Sequence, residues 1–76
     1  GHLHPSATVV RREKAVRRPC FATDGARLLM PAFGLMTGGL DLRHRAMAGL
    51  FDRPRLVAHM LGRDRIYSVR FANLLG

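Results

Sequence analysis

Residues 7–25, ATVVRREKAVRRPCFATDG, decide the fold of this chain. Apolar and β-branched residues alternate here with basic residues, a pattern that is typical of strands with one buried face. The pattern predicts a strand over Ala7–Arg12, a tight turn at Glu13–Lys14 and a returning strand over Ala15–Thr23. The first two strands are therefore expected to pair as an antiparallel hairpin.

The second strand is expected to have one apolar face, formed by even-numbered residues. Val16, Cys20 and Ala22 are separated by even numbers of residues and so point to the same side of a sheet. Cys20 is expected to be a small core residue, since no neighbouring base is evident that would activate its thiol. Pro19 and Pro31 have no backbone N–H to donate to a neighbouring strand. They are therefore expected at an edge of the sheet, at a bulge or at a strand end.

A third strand is expected after the dipeptide Asp24–Gly25. Both residues tolerate the positive φ that a two-residue hairpin turn demands, so the dipeptide is a strong turn signal. The apolar run Arg27–Phe33 that follows predicts a strand that is buried on both faces. The chain from Ser6 to Phe33 is thus expected to form a three-stranded meander.

The second half of the chain has shorter and less regular patterns. Three glycines in Gly34–Leu40 predict a loop, and Arg43–Phe51 predicts a short helix that ends before Pro54. Leu56–Leu61 and Arg65–Phe71 alternate in the manner of a final hairpin that turns at residues 62–64. The whole chain is therefore expected to be one strand-rich α+β unit.

Charge is the strongest compositional signal. The 76 residues contain 13 Lys and Arg against 5 Asp and Glu, a net charge of +8, and Lys14 is the only lysine. The planar guanidinium of arginine matches pairs of phosphate oxygens, so nucleic acid is the expected partner. A genome rich in arginine codons would give the same composition as a solvated basic surface, and that interpretation stays open.

The expected location is the cytoplasm. Cys20 is the only cysteine, which fits a reducing compartment. No apolar stretch approaches the roughly 18 to 20 residues that a membrane span requires, and the first residues lack the pattern of a signal peptide. The protein is therefore expected to be soluble, without a membrane partner.

Two histidines open the chain in the sequence GHLHP, residues 1–5. In an extended backbone, residues two apart point the same way about 6.5 Å apart, so His2 and His4 could project imidazoles toward one site. This spacing suits two neighbouring metal ions that each take one nitrogen. Histidines near a chain end are also typical of a tag or a solvated tail, so the spacing alone leaves both interpretations open.

Two further groups of residues are candidates for binding phosphate or nucleic acid. In TGGLD, residues 37–41, glycine would allow backbone N–H groups to approach a phosphate, although the same sequence is also typical of a turn. His44 and His59 are expected to be a helix-start residue and a packed hairpin residue. The candidate phosphate-binding residues are Thr37, Gly38, Gly39 and Arg43, and the candidate contacts to a nucleic-acid backbone are Arg11, Arg12, Arg17 and Arg18.

The motifs in combination resemble one known family. GHLHP is followed by a basic meander, by RRPCF (17–21), LLMPAFG (28–34) and TGGLD, and then by LGRDRIY (61–67). From Gly1 to about Val69, this order resembles the C-terminal part of the calcineurin-like metallophosphoesterases. Within that superfamily it is most similar to the bacterial ligase-associated DNA-damage-response phosphoesterases, which are described as endonucleases.

The resemblance implies a function for the histidines. In the superfamily the two histidines of GHxH ligate two divalent ions, here Mn, Zn, Fe or Mg, which assigns that role to His2 and His4. It also implies a four-layer α/β/β/α sandwich, hydrolysis of phosphodiester bonds in DNA repair, and a DNA ligase or helicase–nuclease as partner. The family's earlier motifs, DxH, a bridging Asp and GNHD, do not occur in this sequence. The resemblance therefore implies that residues 1–76 are the C-terminal segment of a longer domain and are inactive alone.

Two other interpretations remain open from the sequence. The chain could be a small basic β module that binds nucleic acid without catalysis, which predicts salt-sensitive binding by the 76 residues alone. It could also be a structural segment whose strands only complete a larger sheet.

Overall fold

The computed structural model describes residues 4–31 and 39–75. Over these residues it contains six β-strands and three single-turn 3₁₀ helices, which confirms a strand-rich fold with little helix. The 3₁₀ helices span Arg45–Met47, Arg53–Arg55 and Phe71–Asn73. The strands are β1 (Pro5–Arg11), β2 (Lys14–Thr23), β3 (Leu28–Leu29), β4 (Leu40–Asp41), β5 (Val57–Leu61) and β6 (Ile66–Arg70).

The long strand β2 organises the sheet, because it changes partners along its length. Its first part, Lys14–Pro19, pairs antiparallel with β1, and its last part, Cys20–Thr23, pairs antiparallel with β5. Ala22 and Thr23 also pair with β3, so β2 is flanked on both edges there. Pro19 lies inside β2, at the last position of its ladder with β1, so it marks the change of partner strand and does not end β2. The main order of strands is β4-β1-β2-β5-β6.

The first hairpin turns one residue earlier than predicted. Arg12 and Glu13 form the turn, with φ values of 51° and 66°, and Lys14 already pairs with Arg11. Two positive φ values are what a two-residue hairpin turn needs to match the twist of its strands. The earlier turn shifts each cross-strand partner by two residues, which leaves the faces unchanged and places Val9 directly opposite Val16.

The final hairpin is confirmed, and the third strand is confirmed as a short strand that pairs antiparallel with β2, whereas the predicted helix is wrong. Residues 57–61 pair with residues 66–70 as β5 and β6. The predicted helix over Arg43–Phe51 is wrong, because the chain makes one 3₁₀ turn and then reaches Gly49 at φ +84°. In the predicted strand over Arg27–Phe33, only β3 forms within the described residues. Leu28 and Met30 are 58% and 54% exposed, so burial on both faces is also wrong.

The core lies on one face of the sheet. The buried residues there are Ala7, Cys20, Ala22, Ala58 and Met60, and the small side chains of the three alanines and the cysteine let the covering segments approach the strands closely. The shared burial of Cys20 and Ala22 confirms the predicted parity. Burial, together with the charge of Asp41, raises the pKa of the Cys20 thiol to about 12 and keeps it unreactive. The covering side chains are Leu42, Phe51, Leu56, Phe71 and Leu74.

A carboxylate fixes the connection between β2 and β3. Asp24 accepts hydrogen bonds from the backbone N–H groups of Asp52 (2.7 Å), Ala26 (2.9 Å) and Arg27 (2.9 Å). These bonds favour the ionised form and lower the pKa of Asp24 to about 2, with the bond from Asp52 as the largest cause. The turn predicted at Asp24–Gly25 is therefore a four-residue connection that is also tied to the chain at Asp52.

Acid is expected to weaken the fold through Asp24. Because its pKa is lower in the folded chain, its stabilisation is complete above the unfolded value near 3.8 and is lost as the pH falls toward about 2. Urea unfolding at several pH values between about 5 and 2 should show a smaller loss of stability in Asp24→Asn than in the wild type. Asp64→Asn, at an exposed position, should keep the wild-type pH dependence. An unchanged acid dependence in Asp24→Asn would contradict the assignment.

Candidate functional site

Two motifs that are far apart in the sequence meet at one edge of the sheet. The N–H of Leu40 donates to the carbonyl of His4 (2.7 Å), and the N–H of Leu42 donates to the carbonyl of Ser6 (2.8 Å). These bonds place β4 parallel to the start of β1, with Pro5 opposite Leu40. The end of GHLHP and the end of TGGLD therefore lie side by side. His2, Thr37 and Gly38 lie outside the described residues.

Gly39 allows this close approach. Its φ is +68°, and a Cβ atom at this position would lie 3.1 Å from the His4 carbonyl oxygen and 3.3 Å from the Ser6 Cβ. Only glycine combines that backbone conformation with so little space. The second glycine of the predicted phosphate loop therefore packs against the strand that carries His4.

Arg17 crosses the strands and joins both motifs. Its Nε donates to Ser6 Oγ (3.0 Å), and its Nη2 donates to the carbonyl of Gly39 (2.9 Å). The register of β1 and β2 places Arg17 on the face of Ser6, whereas Arg11 and Arg18 lie on the opposite face. The four arginines that were predicted to contact nucleic acid are thus divided between two faces and the turn.

Sequence reasoning missed the role of Arg17 in this edge. Strand parity indicates that Ser6 and Arg17 share a face once the register is known, but the contact with Gly39 depends on where β4 lies. The residue types alone indicated only a basic cluster.

Asp41 and Thr8 continue the same edge. Thr8 Oγ1 donates to Asp41 Oδ2 (3.0 Å), and the N–H of Arg43 donates to Asp41 Oδ1 (2.8 Å). The carboxylate therefore holds β4 against β1 and shapes the turn that follows β4.

The guanidinium of Arg43 does not lie beside the other predicted phosphate-binding residue that the structure describes, Gly39. Its Nη2 donates to the carbonyl of Phe71 (2.7 Å), and its guanidinium lies 4.4 Å from the centre of the Phe71 ring. Its Nε is buried and has no hydrogen-bond partner among the described residues. Arg43 and Gly39 thus contact different parts of the chain, and the structure does not bring them together as one site.

His4 is the predicted metal ligand that the structure describes. It immediately precedes β1, is half-buried, and has its Nδ1 atom shielded from solvent. Residues 4–31 and 39–75 contain no group of three or more His, Cys, Asp or Glu side chains that could hold a metal ion. His4 could supply one ligand from the position just before β1, so a metal centre here would need donors from beyond the described residues.

The other two histidines have structural contacts. His59 Nδ1 lies 2.8 Å from Ser68 Oγ across the β5–β6 pair, which confirms the predicted hairpin histidine. His44 Nδ1 accepts the N–H of Ala46, so His44 caps the single 3₁₀ turn that forms in place of the predicted helix.

Loss of the Arg17 contacts is expected to destabilise the fold modestly. Arg17→Met keeps the aliphatic stem but removes the bonds to Ser6 and Gly39, at a cost of about 1–2 kcal/mol. Arg18→Met is the matched control, since Arg18 is exposed and lies on the opposite face. Urea unfolding should separate the two variants, and equal midpoints would contradict the bridging role.

A methyl group at Gly39 is expected to cost more than one at Gly49. Both glycines have positive φ, so Gly39→Ala and Gly49→Ala each incur about 1–2 kcal/mol of backbone strain. Only Gly39 also meets the His4 carbonyl, which adds roughly 1 kcal/mol of overpacking. The difference between the two unfolding free energies measures that contact. If the two variants lose the same unfolding free energy, the backbone at His4 moves away from the added methyl group at no cost, and the close contact does not contribute to stability.

Neither a protein-family model nor a curated protein or solved structure matches the chain significantly. Within the described residues, the structure has no helix long and apolar enough to cross a membrane. Function is therefore inferred from the residues, their geometry and the resemblance of the motifs.

Proposed function

We propose that this chain is the C-terminal segment of a dinuclear-metal phosphodiesterase that hydrolyses nucleic-acid phosphodiester bonds, with His2 and His4 as metal ligands. The observation that carries the proposal is the hydrogen bond from Leu40 N–H to the His4 carbonyl (2.7 Å). It joins the histidine motif to the glycine motif, the two features by which the sequence resembles metallophosphoesterases.

The local backbone supports a ligand role for His4. Its carbonyl is held by β4, and the next residues belong to a strand that pairs on both sides, with β2 and β4. A ligand on a rigid strand keeps its position when a metal binds, which lowers the cost of assembling the site. Arg17 strengthens this support, because it connects Ser6 in β1 with Gly39 beside β4.

Each group in the proposed reaction has a limited role. When bound, two divalent ions would activate a water molecule and neutralise charge on the phosphate. His4 and His2 would supply neutral imidazole nitrogens, and the Gly39 region would bring backbone close to the substrate. The resemblance places the acid that helps the leaving group in the GNHD motif, which this chain lacks. DNA as substrate, a ligase or helicase–nuclease partner and a cytoplasmic location stay predictions.

The coding DNA upstream of Gly1 gives the first test. An open reading frame that continues upstream and encodes DxH and then GNHD at domain-scale distance is the expected result. A stop codon directly upstream would contradict the proposal and favour the small nucleic-acid-binding module.

The second test is hydrolysis by the longer protein that contains this chain. We expect it to cleave bis(p-nitrophenyl) phosphate, to lose activity when a chelator removes the metal, and to regain it when Mn²⁺ is added. Activity that persists in chelator after exhaustive dialysis would contradict a metal-dependent mechanism.

A further inference from the structure

The core-bearing face of the sheet extends beyond the residues that cover it. On this face β1 and β2 contribute three cross-strand pairs: Ala7 with Arg18, Val9 with Val16, and Arg11 with Lys14. The covering residues of the core pack over one end of this face. The other end opens into a groove of about 780 Å³, which lies between the two hairpins.

The floor of the groove is apolar. Val9, Tyr67 and Val69 pack against the core and are still partly exposed. Apolar residues that line a concave surface in this way mark a binding surface more often than scattered ones do.

The rim of the groove is positively charged. Arg11, Arg18, Arg63 and Arg65 line it, and no Asp or Glu is among its lining residues. Two of these guanidinium groups are held by the same ring, since Arg11 lies 4.8 Å and Arg65 lies 5.6 Å from the centre of Tyr67. The positive charge is therefore fixed beside the apolar floor.

Charge and shape select the kind of partner. A second copy of this chain also carries +8, so it would bring like charges together. Nucleic-acid interfaces are polar, and single strands need exposed aromatic rings for stacking. Here the floor is mostly aliphatic and its one aromatic ring is already covered by two arginines.

We propose that this groove docks an acidic amphipathic segment of another protein. Aliphatic side chains of the segment enter the floor formed by Val9, Val16 and Val69, and its carboxylates pair with the four rim arginines. Interfaces of this type use an apolar centre for affinity and charged rims for orientation. The surface is separate from the His4 edge, and the inference does not depend on the proposed catalytic role.

Fluorescence anisotropy with a labelled peptide tests this proposal. The probe is a fluorescein-labelled peptide in which Leu and Asp alternate, and the comparison peptide alternates Leu and Lys. We expect saturable binding of the Leu–Asp peptide to the 76-residue chain at physiological salt and weaker binding of the Leu–Lys peptide. Equal binding of the two peptides, or none by the Leu–Asp peptide, would overturn the proposal.

Charge reversal at the rim locates the binding. Arg11→Glu with Arg65→Glu should raise the Kd of the Leu–Asp peptide by about tenfold or more. Arg27→Glu with Arg45→Glu is the matched control, because both residues are exposed, lie outside the groove and change the net charge equally. Circular dichroism checks that both variants keep the wild-type spectrum. Equal losses in the two variants would overturn the proposal, as would an oligonucleotide that displaces the peptide and shows the same rim dependence.

Discussion

If this chain belongs to the proposed metal-dependent phosphodiesterase, replacement of His2 and His4 together by alanine in the longer protein is expected to lower its phosphodiester hydrolysis by about a thousandfold or more. The proposed loss of two ligands would empty or distort a site whose ions would supply several kcal/mol of transition-state stabilisation, and each 1.36 kcal/mol corresponds to about tenfold in rate. The measurement is kcat/KM for bis(p-nitrophenyl) phosphate at saturating Mn²⁺, with metal content determined on the same samples.

The chain offers a matched control for this experiment. His44→Ala with His59→Ala also removes two imidazoles, but these lie at a 3₁₀ cap and in the final hairpin. The control variant should keep most of the activity and its bound metal. Retained hydrolysis in the His2/His4 variant, or equal losses in both, would contradict the ligand assignment.

Leu42→Ala is expected to remove a large part of the stability of the fold. The side chain is 2% exposed and belongs to the core cluster directly after β4. Truncation of a buried leucine costs about 2–5 kcal/mol, because the lost contacts leave a cavity. At roughly 0.05–0.15 kcal/mol per residue, a chain of this size has only about 4–11 kcal/mol in total. Urea unfolding followed by circular dichroism measures the change.

An exposed leucine provides the comparison. Leu28 is 58% exposed in β3, so Leu28→Ala should alter the free energy of unfolding by about 0.5 kcal/mol or less. If the two leucine variants unfold at the same urea concentration, the core does not include the segment after β4.

The parts of the fold that could be predicted are those determined by the pattern of residues close together in the sequence. Alternation identified the two hairpins, because each pairs strands that are neighbours in the sequence. The strand β4 could not be predicted, since it has two residues in a glycine-rich stretch and forms only because β1 is beside it. The helix prediction over Arg43–Phe51 was wrong, because the chain leaves the helical conformation at Ala48, which is extended, before it reaches Gly49 at positive φ.

The site was predictable in composition but not in arrangement. His4 and Gly39 were each recognised as candidates from their motifs, yet their contact depends on a parallel pairing between distant segments. Arg17 was grouped with Arg11, Arg12 and Arg18 as a candidate contact to nucleic acid, and nothing in the sequence indicated that it would reach Gly39. Arg43 was assigned to phosphate from its charge, whereas an aromatic ring and a carbonyl group from distant Phe71 determine where its guanidinium lies.

The parallel pairing of β1 with β4 has a consequence for the order of folding. The β1–β2 hairpin closes a two-residue turn and can form in microseconds. Pairing Pro5 with Leu40 instead closes a loop of about 35 residues, at an entropic cost of roughly 3 kcal/mol that only two ladder positions offset directly. The edge at His4 is therefore expected to form last and to open first. A ligand that binds only the closed edge would slow that opening and stabilise the whole sheet by mass action.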